Sequence, residues 1–156
     1  MAVACTLAGY VESRKLGQRV RELEAFYSFL SAAHTEIRYS ATPVERIIKS
    51  HGKGQRFLAM CSSLCAAGQS FPVAWQQSLR EGMGGTALKA KDIGYISEFG
   101  AGFGMTDMEG QMAHCQLYLG FIGEALAEAK TEKEKKEKLY FMLGVCSGIA
   151  AALLLS

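Results

Sequence analysis

The chain has 156 residues, enough for one domain with a hydrophobic core, and its 17 Lys and Arg against 15 Asp and Glu leave a net charge of +2. This near balance provides no electrostatic case for a nucleic-acid partner. Two prolines and 10% aromatic residues favour a helical protein over a β-sandwich.

The first ten residues, "MAVACTLAGY", are uncharged and mostly apolar. They are fewer than the roughly 20 residues that a bilayer-spanning helix needs, and they lack the basic leader and cleavage site of a signal peptide. Arg14 and Lys15 follow at once, as charges do where a helix leaves a membrane. We therefore expect residues 1–10 to be the remaining end of a truncated N-terminal membrane helix.

The next stretch, up to about Tyr39, predicts a long helix, because it has no proline and Gly17 is its only glycine. Its apolar residues are spaced 4, 3, 4, 3, 4, 3 in a heptad seam: Leu16, Val20, Leu23, Tyr27, Leu30, His34 and Ile37. We expect this seam to pack inside its own domain, the alternative being a coiled coil between two chains.

Shorter helices are predicted next. "ATPVERIIKSHG" offers Thr42 as N-cap, Pro43 at the first helical position and Glu45 in a capping box. "QRFLAMCSSLCAAG" would end at Gly68 in a left-handed conformation, and "SFPVAWQQSLREG" would be anchored in the core by Trp75. A fifth helix is expected over about residues 88–99.

The glycine-rich "GAGFG" holds Gly100, Gly102 and Gly104. A phosphate loop would need a preceding strand and, for the Walker type, a following Gly-Lys-Ser/Thr. Here a predicted helix precedes the glycines and "MTD" follows them. We therefore interpret "GAGFG" as a tight turn between two helices.

A second long helix is predicted from "TDMEGQMAHC" onward, with Thr106 as N-cap and Glu109 completing a capping box. It carries a second 4, 3, 4, 3, 4, 3 seam: Met108, Met112, Cys115, Leu119, Ile122, Leu126 and Ala129. This helix is the natural antiparallel partner of the first.

The last predicted element is an apolar tail. Residues 139–155 are 17 positions without a charge, about 25 Å of helix, and they show no polar face. We expect a transmembrane helix, the alternative being a buried or dimer-forming tail. The anchor residues would be Leu139, Tyr140, Phe141, Leu143, Val145, Ile149, Leu153, Leu154 and Leu155.

The charges before this tail predict its orientation. Lys133, Lys135, Lys136 and Lys138 stand just ahead of it, so the positive-inside rule places the preceding residues 11–138 in the cytoplasm. Gly144 and Gly148 form a Gly-x-x-x-Gly, a pattern that lets two membrane helices approach closely.

No catalytic, cofactor-binding or metal-binding cluster is recognisable at a characteristic spacing. The five cysteines are expected to be reduced packing residues, with a regulatory disulfide or metal pair as the alternative: Cys5, Cys61, Cys65, Cys115 and Cys146. Exposed charges are therefore the candidates for binding a partner, with an ordinary solvated surface as the favoured alternative for each, and they are Arg14, Arg19, Arg21, Glu45 and Arg46.

The chain resembles the stage III sporulation protein AB family of spore-forming bacteria. The residues that carry the resemblance are "RVRELEAFYSFLSAAHTEIRYSATPVERI", "FPVAWQQSL", "FGAGFGMTDMEGQMAHCQLYL" and "KEKLYFMLGVCSGIAAALLLS". It covers essentially the whole chain. The family differs at the start, where it has a complete apolar helix.

The resemblance implies an all-α antiparallel bundle of about six helices between two membrane helices, similar to the F domain of type II secretion platforms. It implies a non-enzymatic subunit of the mother cell–forespore channel in the mother-cell-derived membrane around the forespore. The implied partners are the secretion-type ATPase, stage III sporulation protein AA, and other channel subunits. Two alternatives remain: a self-associating coiled-coil membrane adaptor, and a small-molecule enzyme or sensor that uses Cys61, Cys65 and the histidines.

Overall fold

A computed structural model describes the backbone of residues 2–155 and the side chains of residues 7–155. That part of the chain folds into six α-helices and one 3₁₀ helix, and it contains no strand. The helices are α1 (Ala2–Ser40), α2 (Val44–His51), α3 (Arg56–Ala66), α4 (Phe71–Gly82), α5 (Ala90–Gly102) and α6 (Met108–Leu155), and the 3₁₀ helix (Gly52–Gly54) lies between α2 and α3. The predicted all-α bundle is confirmed.

The two long helices, α1 and α6, form the most extensive helix pair of the fold. Glu12, near the start of α1, pairs with Lys136 of α6, and Glu24, later in α1, pairs with Lys130, which comes earlier in α6. The two helices therefore run antiparallel. The bundle therefore has two ends. One end holds the start of α1 and the apolar part of α6, and the other holds the turns after α1 and before α6.

The short helices α2–α5 cover the inner side of this pair around an aromatic core. Trp75 of α4 is fully buried, and its ring centroid lies 6.4 Å from that of Phe26 and 5.9 Å from that of Phe99. Its indole N–H donates a hydrogen bond of 3.0 Å to the carbonyl of Ile96. The prediction that Trp75 is a core anchor is confirmed, and the bond locks α4 against α5.

Both predicted seams are only half right, because the buried faces are turned and wider than a heptad stripe. In α1, Leu23, Leu30 and Ile37 are buried as expected, but Tyr27 is 39% exposed and His34 is half-buried. Their places in the core belong to Phe26 and Ala33. In α6 the buried positions are Cys115, Tyr118, Ile122, Ala125 and Ala129, so Tyr118 and Ala125 replace the predicted Leu119 and Leu126.

Neither predicted threonine cap forms. The Thr42 hydroxyl donates instead to the Glu36 carboxylate at 2.9 Å, and Pro43 occupies the N-cap position of α2. At the start of α6, the carboxylate of Asp107 accepts the Gly110 N–H at 2.9 Å, so Asp107 is the residue that caps this helix. The predicted left-handed stop at Gly68 is present, with φ +100°.

The "GAGFG" segment divides between helix and turn. Gly100 and Gly102 belong to the last turn of α5, and Gly104 alone has a positive φ of +83°. A Cβ at Gly100 would overlap the Trp75 indole. The glycine there lets α5 approach α4 closely, which is a packing role and not a ligand-binding one.

Candidate partner surfaces and apolar tail

Arg19, one of the five charges expected on the surface, is buried. Only 3% of it is exposed, and its guanidinium meets Asp92 of α5, which is fully buried. Arg19 Nε donates to Asp92 Oδ2 at 2.8 Å and Nη2 donates to Oδ1 at 3.1 Å, a bidentate fork. The expectation that Arg19 belongs to a solvated face is therefore wrong, because Asp92, 73 residues away in the sequence, pairs with its guanidinium inside the bundle.

The buried pair continues into a larger cluster that joins three helices. Arg19 Nη1 lies 3.8 Å from Glu132 and 4.0 Å from Glu128, both on α6. Lys89, just before α5, bridges the same two carboxylates at 2.9 and 3.4 Å. The hydrogen bond to Lys89 lowers the pKa of Glu132, and the hydrogen bond to Asp92 raises the pKa of Arg19. The cluster holds α1, α5 and α6 in one register.

Arg14 and Arg21 do lie exposed on α1, as expected. The Arg14 guanidinium sits 5.6 Å from the centre of the Tyr10 ring, within cation–π range. Arg21 borders a cleft between α1, the start of α3 and the loop from α4 to α5. Sequence reasoning missed Arg56, the first residue of α3, which borders the same cleft from the opposite side.

Glu45 and Arg46 are also exposed, but at the opposite end of the bundle. They belong to the first turn of α2, which follows the C-terminus of α1. From Arg21 to the end of α1 is 19 residues, about 28 Å of helix. The structure therefore separates the predicted partner residues into a group on the first half of α1 and a group at the far tip, with Arg19 in neither.

The tail of α6 is exposed along its whole length. Phe141, Leu154 and Leu155 are 74%, 87% and 90% exposed, and every one of residues 139–155 is accessible. The most apolar 18-residue window of this helix has a mean hydropathy of 1.9, and none of it is buried. By length and composition this end of α6 can cross a bilayer, and the alternative of a tail buried in its own domain is wrong.

The start of α1 lies beside the start of this tail. A Cβ on Gly9 would come within 2.6 Å of the Tyr140 ring, so the glycine lets the two helices touch. One turn further, Lys136 donates to the Glu12 carboxylate at 2.7 Å, which lowers the pKa of Glu12. Residues 2–10 are helical and lie at the end of the bundle from which the apolar tail extends.

Cys61 and Cys115 are buried in the core, Cys65 packs against it and Cys146 is exposed on the tail, whereas the side chain of Cys5 lies outside the described part of the chain. Burial raises the pKa of Cys61 and of Cys115 to about 12, so both thiols are protonated and poorly nucleophilic at neutral pH. His114 contacts the Phe99 carbonyl at 2.8 Å, and His51 pairs with Glu36 at 3.3 Å. Among the side chains of residues 7–155, no three metal-ligating groups come together.

These features define a class of protein: a small all-α bundle whose last helix continues without a break into an apolar segment long enough to span a membrane. A profile of one family matches the chain from residue 1 to residue 156, and the chain belongs to the stage III sporulation protein AB family. The resemblance noted in the sequence is thereby confirmed.

A curated relative and a solved structure agree with this assignment. The chain is 27% identical over 161 residues to stage III sporulation protein AB of Bacillus subtilis (strain 168), a match that covers 99% of this chain and 94% of that protein. A solved structure of a stage III sporulation protein AB superposes with a TM-score of 0.67 and 23% identity, covering 76% of this chain and 98% of the other. At that identity the superposition supports the fold alone.

Proposed function

We propose that this protein is a non-enzymatic, membrane-anchored platform subunit of the mother cell–forespore channel. In this role its helical bundle, similar to the F domain of type II secretion platforms, engages the complex's ATPase, stage III sporulation protein AA. The observation that carries the proposal is the 48-residue helix α6. It joins a compact bundle to an apolar, fully exposed segment in a single rigid element, so the bundle is held at a fixed place relative to the membrane.

The charge pattern supports a cytoplasmic bundle. Lys133, Lys135, Lys136 and Lys138 lie in the last turns before residue 139, where the positive-inside rule counts them. Arg14 and Lys15 add positive charge at the same end of α1. In the mother-cell-derived membrane around the forespore, the bundle would then face the mother-cell cytoplasm, where an ATPase has access to it.

Burial argues against the self-associating coiled-coil adaptor in its predicted form. Leu23, Leu30 and Ile37 are at most 2% exposed, since α6 and the short helices cover them. A second chain could reach this seam only after the bundle had opened. Association between chains would have to use another surface, such as the exposed tail.

The proposed function is tested by binding. The full chain is reconstituted in lipid nanodiscs and titrated with the purified ATPase from the same organism, with binding followed by interferometry. We expect saturable binding that survives mild changes of detergent and lipid. The proposal fails if no binding occurs over a wide range of ATPase concentrations while both proteins remain folded.

The two groups of predicted partner residues are compared in the same assay. Charge reversal at the tip, with Glu45→Lys and Arg46→Glu, probes the far end of the bundle, and Arg14→Glu probes the membrane-proximal end. Because charged rim residues mostly change association rates, we expect an effect on the on-rate of a few-fold for the group that lies in the interface, and none for the other.

A further inference from the structure

A cleft beside Arg21 has no role in the packing of the bundle described above. Its volume is about 300 Å³, at the lower end of the range of ligand-binding pockets. One wall is α1 from Gln18 to Ala25, the second is the start of α3, and the third is the loop from Gly82 to Leu88.

The rim of the cleft is cationic. Arg21 and Arg56 are both exposed, and within the described residues neither guanidinium has a carboxylate within ion-pair distance. The cleft's own acid, Glu22, is already engaged, because it accepts hydrogen bonds from Gln18 and Thr86. With Arg21, Arg56 and Glu22, the lining carries a net charge of +1, and the two unpaired guanidinium groups can bind an added acid. Arginine offers a carboxylate a planar, two-pronged donor, which suits this task.

The floor of the cleft is apolar. Phe57 is 3% exposed at its base, and Met83 and Leu88 pack against the core beside it. Gly54, Gly84 and Gly85 line the walls, and the space beside them is open, since a Cβ at any of the three would meet nothing within 4 Å. The Gln55 amide donates to the Glu22 carbonyl at 2.8 Å and so fixes the α3 wall to α1. The combination fits a chain that carries both apolar and acidic side chains.

The position of the cleft favours a protein over a lipid headgroup. Arg21 lies 12 residues beyond Gly9, which touches Tyr140 at the start of the apolar tail. This is about 18 Å along α1. The polar headgroup layer of a bilayer is about 5–8 Å thick on each side, so headgroups do not reach the rim.

We propose that the cleft between α1, α3 and the loop from α4 to α5 is a docking site for an acidic, partly apolar segment of a cytoplasmic partner, with Arg21 and Arg56 binding its carboxylates. The proposed platform function supplies the identity of the partner, the ATPase, and the inference rests on it for that identity alone. The chemistry of the cleft is tested separately with a synthetic peptide.

The first experiment uses the full chain in nanodiscs and the fluorescein-labelled peptide Glu-Leu-Glu-Glu-Leu-Glu, with binding followed by fluorescence anisotropy. We expect saturable binding, weakened at least tenfold by Arg21→Glu with Arg56→Glu and weakened by high salt. The matched control is Arg38→Glu, which reverses another exposed arginine of α1, outside the cleft, whose guanidinium lies over the Tyr39 ring. The control should bind like the wild type.

Several results would overturn the proposal. These are no binding by the wild type, equal binding by the double variant, or equal loss in Arg38→Glu. Full competition by inorganic phosphate would show a bare anion site, and loss of binding only in nanodiscs of anionic phosphatidylglycerol would show that the arginines bind lipid. Arg21→Gln with Arg56→Gln, which removes charge without adding repulsion, repeats the test if the glutamate variant fails to fold.

The second experiment separates this inference from the proposed function. If the ATPase binds the wild type and the double variant equally, the cleft is not the docking site although the platform function stands. If the peptide binds as expected but the ATPase does not bind, the ATPase is not the partner and the proposed function fails, whereas the cleft remains a docking site for acidic segments. A tenfold loss of ATPase binding in the double variant alone supports both.

Discussion

At the scale of single residues, the burial of Arg19 could have been predicted from the sequence, but its pairing with Asp92 could not. Arg19 is in phase with the true core positions of α1, since residues 19, 23, 26, 30, 33 and 37 step by 4 and 3. That phase could have predicted its burial, had the seam been assigned to Phe26 and Ala33. Its partner Asp92 could not be predicted, because nothing local links positions 73 residues apart.

Removing Asp92 should destabilise the bundle strongly. Asp92→Ala leaves the Arg19 guanidinium buried without its main partner, and breaking a buried ion pair costs about 3–5 kcal/mol. Thermal unfolding of the full chain in detergent, followed by the fluorescence of Trp75, the single tryptophan of the chain, measures the bundle without the tail.

Glu24→Ala is the matched control for the Asp92 variant. It removes a bridge of 3.1 Å between α1 and Lys130 of α6, but both partners are about half exposed. Such a surface bridge contributes about 0–1 kcal/mol. Leucine at both positions 19 and 92 should recover most of the lost stability, since two apolar side chains replace the pair. Equal losses for Asp92→Ala and Glu24→Ala would contradict the structural role of the cluster.

At the scale of helices, the sequence predicted where helices lie better than which face they bury. Apolar periodicity and the glycine stops predicted the bounds of α2–α5 within a few residues, because those signals are local. The two long helices extend further than predicted, since α1 begins at Ala2 and α6 runs through the apolar tail to Leu155. The burial faces and caps depended on tertiary contacts. The Thr42 hydroxyl binds Glu36 and does not cap α2. Phe26 is buried where Tyr27 was expected, because α3, α4 and α5 pack against the Phe26 side of α1.

The close approach of α4 and α5 at Gly100 makes a sharp prediction. Gly100→Ala would drive a methyl group into the Trp75 indole, in a site without room. Overpacking a core costs about 1–3 kcal/mol and sometimes more. We expect a lower unfolding temperature and a changed near-ultraviolet circular dichroism signal, because the indole must move and its hydrogen bond to Ile96 must weaken.

Gly94→Ala provides the control on the same helix. A Cβ at Gly94 meets nothing within 4 Å, so the gain in helix propensity should stabilise α5 by up to about 1 kcal/mol. The two variants therefore have opposite expected signs. A loss of stability in Gly94→Ala equal to that in Gly100→Ala would mean that the glycine at position 100 serves no packing purpose.

At the scale of the whole molecule, α6 determines how the protein is used. Its first half is amphipathic and closes the core, and residues 139–155 are apolar on every side and exposed. The sequence predicted this division because an unbroken uncharged stretch needs no tertiary information to be recognised. It could not predict the neighbouring contacts of Gly9 with Tyr140 and of Glu12 with Lys136, which place the start of α1 against the base of the tail.

A charge in the middle of the tail tests whether hydrocarbon is its solvent. Ile149→Arg places a guanidinium near the centre of residues 139–155, where insertion of arginine costs about 2.5–3.5 kcal/mol. Ala127→Arg adds the same group to an exposed position of α6 within the bundle, where water solvates it.

Alkaline phosphatase fused after Ser156 reports translocation, because it is active only outside the cytoplasm. The wild type and Ala127→Arg should be active, whereas Ile149→Arg should lose several-fold, and carbonate should extract more of that variant from the membrane. Equally low phosphatase activity and equally complete carbonate extraction in all three chains would show that this segment does not cross a bilayer.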